Sequence, residues 1–283
     1  MNKIFWTSST AYNANLFDGL QAGLTVNMIM TPRADILTCK STESIPGVLE
    51  RNPDRFSYIP VDDNGRLIGL FHAERWFSKR APNEQVGSYF EPLSEATLIG
   101  ANAGIIEFVR RADEQPCQLV VSGSRIDGLV SLSDMQKLPV RAALFGLVTG
   151  MELTMSELIR RHFHDTKEWL SALSRERQSK ISDEIGLSRQ AEGYVDDILF
   201  TQFCDKADII RKKIISGSSK GSLDKKFKAI QQLRNDLAHA NDYAATPRAA
   251  HSVAEVVRGI FDLQSRLSNL IDCGATSASP AQA

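Results

Sequence analysis

The stretch RLIGLFHAER at residues 66–75 is matched about sixty residues later by RIDGLVSLSD at residues 125–134. Both stretches begin with arginine and carry a glycine at the same place. Each follows a short apolar run and a tight-turn sequence, DDNG at 62–65 in the first copy and GS at 123–124 in the second. Each copy therefore has the pattern of a β-hairpin that leads into a helix. The repeat predicts two βαββα units in the first half of the chain.

The second half of the chain has a different pattern, which begins after Pro139. From 140 to 271 there is almost no strand signal, and apolar residues recur at helical spacing. Pro247 stands where a proline is favoured in the first turn of a helix. We predict an all-helical second half with helices over about 140–169, 189–215, 223–240 and 247–271, and a Ser/Gly/Lys loop at 216–222.

Together these patterns predict an α+β protein with a duplicated α/β half followed by an all-α helical bundle. The predicted parts are an N-terminal extension at 1–24, a module pair at 25–147 (first copy 25–80, second copy 86–140), a helical domain at 148–272 and a disordered tail at 273–283. The tail is predicted from its small, polar composition.

Composition excludes several classes of function. The net charge of −1 gives no general attraction to nucleic acid or to a membrane, so such a partner would need a local patch. The four cysteines are scattered without CxxC spacing, which favours a reducing compartment, and we expect a cytoplasmic protein. No window approaches ~18 uninterrupted apolar residues, so we expect no membrane partner. The sequence has no metal-site, P-loop or GxSxG spacing, and we predict neither a metal nor a required cofactor.

The first half resembles the CBS (cystathionine β-synthase) domain family. The resemblance rests on VNMIMTPRADILTCKSTESI at 26–45, which is close to the family's opening segment, and on the two glycine-bearing hairpins. It implies a tandem pair of modules that binds an adenine nucleotide or an adenosyl ligand as an effector in a cleft between the modules.

The family's ligand motif is a G-h-h-S/T-x-x-D/N sequence, and the second copy fits it with Gly128, Ser131 and Asp134. The resemblance implies that the hydroxyl and the following helix N-terminus hold phosphate, while the acid bonds a ribose diol. The first copy departs from the motif, because His72 replaces the hydroxyl residue and Arg75 replaces the acid. One ligand site per chain is therefore implied.

A purely structural interpretation of the same residues stays open. Ser131 or Ser133 would cap the following helix, and Asp134 would lie in its first turn, where an acid is favourable without any ligand.

The second half contains QQLRNDLAH at 231–239, in which Arg234, Asn235 and His239 resemble the R-N-x-x-x-H motif of HEPN domains. The resemblance implies a compact helical bundle and a metal-independent endoribonuclease that acts as a dimer. His239 would transfer protons, Arg234 would stabilise the charge of the phosphorane, and Asn235 would orient the phosphate. Imidazole and guanidinium are suited to these roles near neutral pH.

Helical geometry bears directly on this motif. At 100° per residue, Arg234 and His239 lie about 140° apart on one straight helix. Either the helix breaks near His239, or a second subunit completes the site, and we predict a homodimer. In the structural alternative, His239 is an exposed helix-end histidine, and Arg234 pairs with an acid of a neighbouring helix. The acids considered are Asp196, Asp197, Asp205 and Asp208.

The segment 206–228 before this motif holds eight basic residues and only two acids. This charge would steer the phosphates of single-stranded RNA toward Arg234 and His239. We select Lys212, Lys213, Lys225 and Lys226 as the candidate RNA contacts. The alternative is a solvated lysine-rich face, because aromatic residues for base stacking are nearly absent from the segment.

Two functions follow from these patterns. The first is an adenine-nucleotide-responsive regulatory protein whose HEPN-like domain is an endoribonuclease. The alternative is a non-catalytic protein for nucleotide sensing, dimerisation and interaction.

Overall fold

A computed structural model describes residues 19, 22–78, 83–191, 196–215 and 220–276. Most of the predicted extension at 1–24 lies outside the described residues, as do 216–219 of the predicted loop and 277–283 of the predicted tail. The described residues form two compact units. The N-terminal unit comprises 22–143 with 244–254, and the helical unit comprises 144–243 with 255–276.

The N-terminal unit contains two sheets and two short helices. The strands are β1 (Thr31–Pro32), β2 (Tyr58–Asp63), β3 (Arg66–His72), β4 (Phe90–Pro92), β5 (Leu98–Gly100), β6 (Cys117–Ser122) and β7 (Arg125–Ser131), and the helices are α1 (Ile45–Glu50) and α2 (Ile105–Arg111). One sheet has the strand order β1-β7-β6-β5 and the other β2-β3-β4.

The two predicted hairpins are present, as β2–β3 and β6–β7. Asp63 pairs with Arg66 across a two-residue turn in which Asn64 and Gly65 have φ values of 53° and 80°. Gly123 has φ 60° in the corresponding turn of the second copy. Positive φ at these positions matches the right-handed twist of the flanking strands, which explains the NG and GS turn sequences.

Both hairpins carry the same irregularity in register. The pairing shifts between Val61 and Asp62 in the first hairpin and between Val120 and Val121 in the second. At each shift, the last regular pair joins a valine of the first strand to the glycine of the repeat. These pairs are Val61 with Gly69 and Val120 with Gly128. The duplication therefore extends from the sequence to the pairing of individual residues.

The two copies exchange strands. Strand β1 of the first copy pairs with β7 of the second, and β4 of the second copy pairs with β3 of the first. The backbone contacts are reciprocal, since Thr25 bridges Gly104 and Ser44 bridges Gln85. Because each copy completes the sheet of the other, neither is an independent module.

The helices α1 and α2 occupy equivalent places and bury equivalent side chains. Ile45 and Val48 of α1 are fully buried, as are Ile105 and Phe108 of α2. Ser44 caps α1 by accepting a hydrogen bond from the backbone N–H of Gly47.

After 137, all regular elements of the described residues are helices, and most of them belong to the helical unit. They are α3 (Leu138–His162), α4 (Thr166–Leu170), α5 (Arg175–Gln190), α6 (Phe203–Ile209, continued by a π-helical turn at Ile210–Ile214), α7 (Lys220–Ala238) and α8 (Pro247–Thr276), with a 3-10 turn at Asp197–Phe200. Residues 138–143 of α3 and 247–254 of α8 belong to the N-terminal unit. Pro247 is the first residue of α8, as predicted.

Several predicted helix limits are wrong. The helix predicted over 140–169 ends at His162, because the Asp165 side chain accepts from the Lys167 N–H and starts a new helix. The helix predicted over 189–215 is replaced by the end of α5, the 3-10 turn and α6. The predicted loop at 216–222 ends earlier, since α7 already includes 220–222, and α8 continues to Thr276 through part of the predicted tail.

The length and composition of α3 would allow a membrane span. Half of its most apolar window is buried inside the protein, which is typical of the core helix of a folded domain.

Candidate functional site

The predicted ligand motif lies where β7 ends and a 3-10 helix at Leu132–Gln136 begins. The backbone N–H of Ser131 donates to Oδ2 of Asp134 at 2.7 Å, as in a capping box. The hydroxyls of Ser131 and Ser133 lie 2.8 Å apart and face solvent. The local chain thus places two hydroxyls and one carboxylate within a single turn.

The Asp134 carboxylate is buried and already engaged. Its side chain is only 4% exposed, and Oδ1 lies 2.7 Å from Nζ of Lys137. Lys137 Nζ also donates to the backbone carbonyl of Ile29 at 2.5 Å. A ribose hydroxyl at this carboxylate would therefore compete with the Lys137 ammonium.

Gly128 has a packing role that the motif alone did not indicate. A Cβ at this position would lie 2.6 Å from the carbonyl oxygen of Thr31 and 2.7 Å from Sδ of Met30. Gly69 has the same role in the first copy, where a Cβ would lie 2.1 Å from the Glu91 carbonyl oxygen. The repeated glycines let the exchanged strands approach the hairpins closely.

The equivalent place in the first copy is occupied by the protein's own side chains. Nε2 of His72 lies 3.4 Å from Oε2 of Glu91, and the His72 ring packs edge-on against Tyr58 at 4.6 Å. Burial lowers the pKa of His72, and the charge of nearby Arg75 acts in the same direction. Arg75 itself is exposed. This site therefore lacks the hydroxyl and the acid of the second copy.

In the helical unit, Arg234 is paired with Glu152 of α3, with 3.6 Å between its Nε and Oε2. The structural alternative, in which Arg234 pairs with an acid of a neighbouring helix, therefore agrees with this contact. The acid is none of the four aspartates given as examples, because these pair with other cations. Asp196 pairs with Arg160, Asp197 with Arg189, Asp205 with Arg177, and Asp208 with Arg211 and Lys212.

Glu152 has a second cationic partner, Lys206, whose Nζ lies 3.3 Å from Oε1. The Lys206 side chain is 5% exposed, and its Nζ also donates to the Thr201 carbonyl at 2.7 Å. Burial lowers the pKa of this lysine, while the charge of Glu152 opposes the shift. Glu152 is therefore held between one buried cation and one partly exposed cation.

The helix α7 ends beside His239. Its last residue is Ala238, the His239 N–H donates to the Asn235 carbonyl, and Ala240 has φ 53°. The side chain of His239 is exposed and that of Asn235 is half-buried. Within the described residues, no hydrogen bond joins the side chains of Arg234, Asn235 and His239, so a single chain does not assemble these three groups by direct contact.

The basic segment is largely neutralised by acids. Lys212 pairs with Asp208 and also donates to the Ala172 carbonyl, and Lys226 lies 3.3 Å from Asp262. Lys213 and Lys225 are exposed and have no acid partner among the described residues. Of the four predicted RNA contacts, these two retain an unpaired charge.

A candidate metal centre is absent from the described part of the chain, where no group of three histidine, cysteine or acidic side chains is close enough to hold an ion.

No protein-family model matches the sequence, and no curated protein matches it. Solved structures similar to this chain include a CBS domain of the bacterial CNNM/CorC family Mg2+ transporter in complex with ATP, with 17% identity and a TM-score of 0.37 over 47% of this chain and 97% of that chain. CBS domains of a transcriptional regulator from Streptococcus pneumoniae have 19% identity and a TM-score of 0.35 over 40% and 98%. CBSX2 in complex with AMP has 24% identity and a TM-score of 0.33 over 42% and 96%.

The N-terminal half is a duplicated α/β unit, with two copies that have matching registers and exchange strands. The C-terminal part is helical.

Three residues of these sites were missed in the sequence. Lys137 lies next to the motif, and its i,i+3 spacing from Asp134 was the available signal. Glu152 is far from Arg234 in sequence and carried no signal, and Lys206 was counted only as the first residue of the basic segment, not as a buried partner of Glu152.

Proposed function

We propose that the N-terminal unit binds one adenine nucleotide per chain and that the protein is a nucleotide-responsive regulatory protein. The observation that supports this most is the cluster of Ser131, Ser133 and Asp134, which has no equivalent in the first copy. The paired hydroxyls would contact phosphate, and the Asp134 carboxylate would accept from the ribose diol. Because Gly128 has no side chain, the backbone of the opening segment at Met30 and Thr31 can lie close to the end of β7, where this cluster is. The expected location of this protein is the cytoplasm.

Ligand binding in this proposal requires that one partner of the Asp134 carboxylate is replaced by another. The ribose hydroxyls would replace the Lys137 ammonium at Oδ1, while the Ser131 N–H remains on Oδ2. Lys137 is 41% exposed, so its displaced ammonium would be solvated by water at little cost.

A thermal-shift series tests the proposal. AMP, ADP, ATP and adenosine are added to the wild type, to Asp134→Asn and to Arg75→Ala, which is the matched control at the equivalent position of the first copy. We expect stabilisation of the wild type and of Arg75→Ala and a much smaller shift for Asp134→Asn, because binding to the folded state raises its stability. No shift with any of the four compounds would refute the proposal.

The second candidate function belongs to the helical unit: metal-independent cleavage of single-stranded RNA by a homodimer. It is favoured by the geometry of Arg234, whose Nε lies nearest Glu152, while no hydrogen bond to its outer nitrogens is found among the described residues. Asn235 follows on the same helix, and the exposed His239 comes directly after its last residue. Because one chain does not bring these groups into contact, the second copy would have to complete the site. Lys213 and Lys225 would contribute the unpaired positive charge.

Cleavage of a labelled single-stranded RNA in EDTA tests this candidate. We expect activity that is lost in His239→Ala and kept in His251→Ala, a matched control because His251 is also an exposed histidine of the helical C-terminal half. Absence of cleavage with and without adenine nucleotides would favour the alternative, a non-catalytic dimerisation and interaction module.

A further inference from the structure

We propose that Glu152 and Lys206 are positioning residues that hold the Arg234 guanidinium as a phosphate-binding group of the helical unit. The inference deepens the proposed RNA site and rests on it for the choice of ligand. It concerns residues on three different helices, since Glu152 lies on α3, Lys206 on α6 and Arg234 on α7.

The geometry of Arg234 is the first reason. Glu152 engages Nε, the inner nitrogen, at 3.6 Å. No hydrogen bond to the two outer nitrogens is found among the described residues, and the side chain remains 39% exposed. A guanidinium held in this way presents its outer N–H groups to solvent, where they can bind a phosphate in a bidentate manner. Glu152 thus lies nearest the inner nitrogen, which leaves the exposed part of the guanidinium available to an anion.

The charge of the cluster is the second reason. A glutamate beside Arg234 would by itself cancel the positive charge that attracts a phosphodiester. Lys206 removes this difficulty, because its buried ammonium lies 3.3 Å from the same carboxylate. Two cations and one anion leave a net positive cluster, with the buried cation inside and Arg234 at the surface.

The anchoring of Lys206 is the third reason. Its Nζ donates to the Thr201 carbonyl at 2.7 Å, and the side chain is 5% exposed. A long lysine side chain loses much conformational freedom when it is buried, and burial of its charge is costly unless it is paired. The arrangement is therefore a rigid support for Glu152 rather than a flexible surface ion pair.

Binding of a 2′-O-methyl RNA oligonucleotide, which cannot be cleaved through its 2′-oxygen, tests the proposal by fluorescence anisotropy. Glu152→Gln adds net positive charge, so electrostatics alone predicts tighter binding. Loss of positioning predicts the opposite, and we expect binding weaker by about fivefold or more. Lys206→Met should also weaken binding, because the charge of Glu152 is then no longer neutralised.

The matched control is Glu157→Gln. Glu157 also lies on α3 and also joins two cations, Arg160 and Arg161. This variant should bind like the wild type. In an Arg234→Ala background, Glu152→Gln should no longer weaken binding, because the glutamate positions only Arg234, and the added positive charge should leave binding equal or slightly tighter.

Circular dichroism melts establish that each variant folds. If Glu152→Gln does not fold, Glu152→Asp replaces it, because aspartate keeps the charge but its shorter side chain places the carboxylate farther from Arg234, and about the same weakening is expected. Three outcomes would overturn the proposal: unchanged or tighter binding by Glu152→Gln or its substitute in the wild-type background, a weakening that persists in the Arg234→Ala background, or no binding by the wild type. Binding with the expected pattern but without RNA cleavage would leave the positioning role standing and refute only the ribonuclease.

Discussion

Asp134 and Lys137 form an ion pair of 2.7 Å on a carboxylate that is 4% exposed, and this pair lies where the CBS resemblance places the ribose of a ligand. The same lysine donates to the carbonyl of Ile29, so it joins the opening segment of the first copy to the end of the second. The carboxylate that is predicted to bind the ribose is therefore already paired with a side chain of the protein.

Replacement of Lys137 should open this site. In Lys137→Met the carboxylate of Asp134 has no cation to release, so adenosine should bind about fivefold more tightly, which corresponds to about 1 kcal/mol. Adenosine is the suitable probe because it has no phosphate that the lysine could attract. Titration calorimetry measures the change, and weaker binding of adenosine would show that Lys137 supports the ligand rather than competes with it.

Alanine at the repeated glycines should destabilise the N-terminal unit. The new methyl group would lie 2.1 Å from a backbone oxygen in Gly69→Ala and 2.6 Å in Gly128→Ala, and such overpacking costs about 1–3 kcal/mol or more. Gly69→Ala should be the more severe variant. The matched control is Gly186→Ala in the interior of α5, where the added methyl meets nothing within 4 Å and should stabilise by about 0.5–1 kcal/mol. Melting temperatures close to wild type for both strand variants would contradict the strand exchange.

The stability of the N-terminal unit should depend on pH through His72. Burial lowers the pKa of His72 below its usual value of 6.5, so the unfolded chain binds a proton that the folded chain resists. Stability that is present above about pH 6.5 is therefore lost as the pH falls through the lowered pKa. His72→Gln should have a flatter dependence of melting temperature on pH between about 7 and 5, whereas the exposed control His251→Gln should follow the wild type. A steeper curve for His72→Gln would show that the ion pair with Glu91 outweighs burial.

The hairpins could be predicted because their signals are local. Asn64-Gly65 and Gly123-Ser124 specify two-residue turns, and the flanking apolar runs are long enough to show strand character. The exchange of β1 and β4 could not be predicted, because strands of two and three residues have no periodicity and their partners lie in the other copy. Gly128 was predicted to be part of a ligand motif. Its packing role could not be predicted, because the backbone that it contacts belongs to an exchanged strand.

The helical unit was harder to predict because one of its helices has little periodic pattern and because one important contact joins distant parts of the sequence. Helix α5 was missed because only Ile181 and Ile185 are buried along its sixteen residues, which leaves little amphipathic pattern. Ser174, whose side chain caps this helix, was the signal that could have found it. Aspartates at 196–208 were predicted as partners of Arg234. The acid that lies beside it is Glu152 of α3, which tertiary packing brings to α7 from a distant part of the sequence.

Titration calorimetry with AMP tests the central claim, a single adenine nucleotide site per chain at Asp134, most directly. The account predicts one AMP bound per chain, affinity at least about tenfold weaker for Asp134→Asn because a hydrogen bond to a charged acceptor is lost, and unchanged affinity for Arg75→Ala. Two AMP molecules per chain, equal affinity for Asp134→Asn, or no binding of AMP would contradict it.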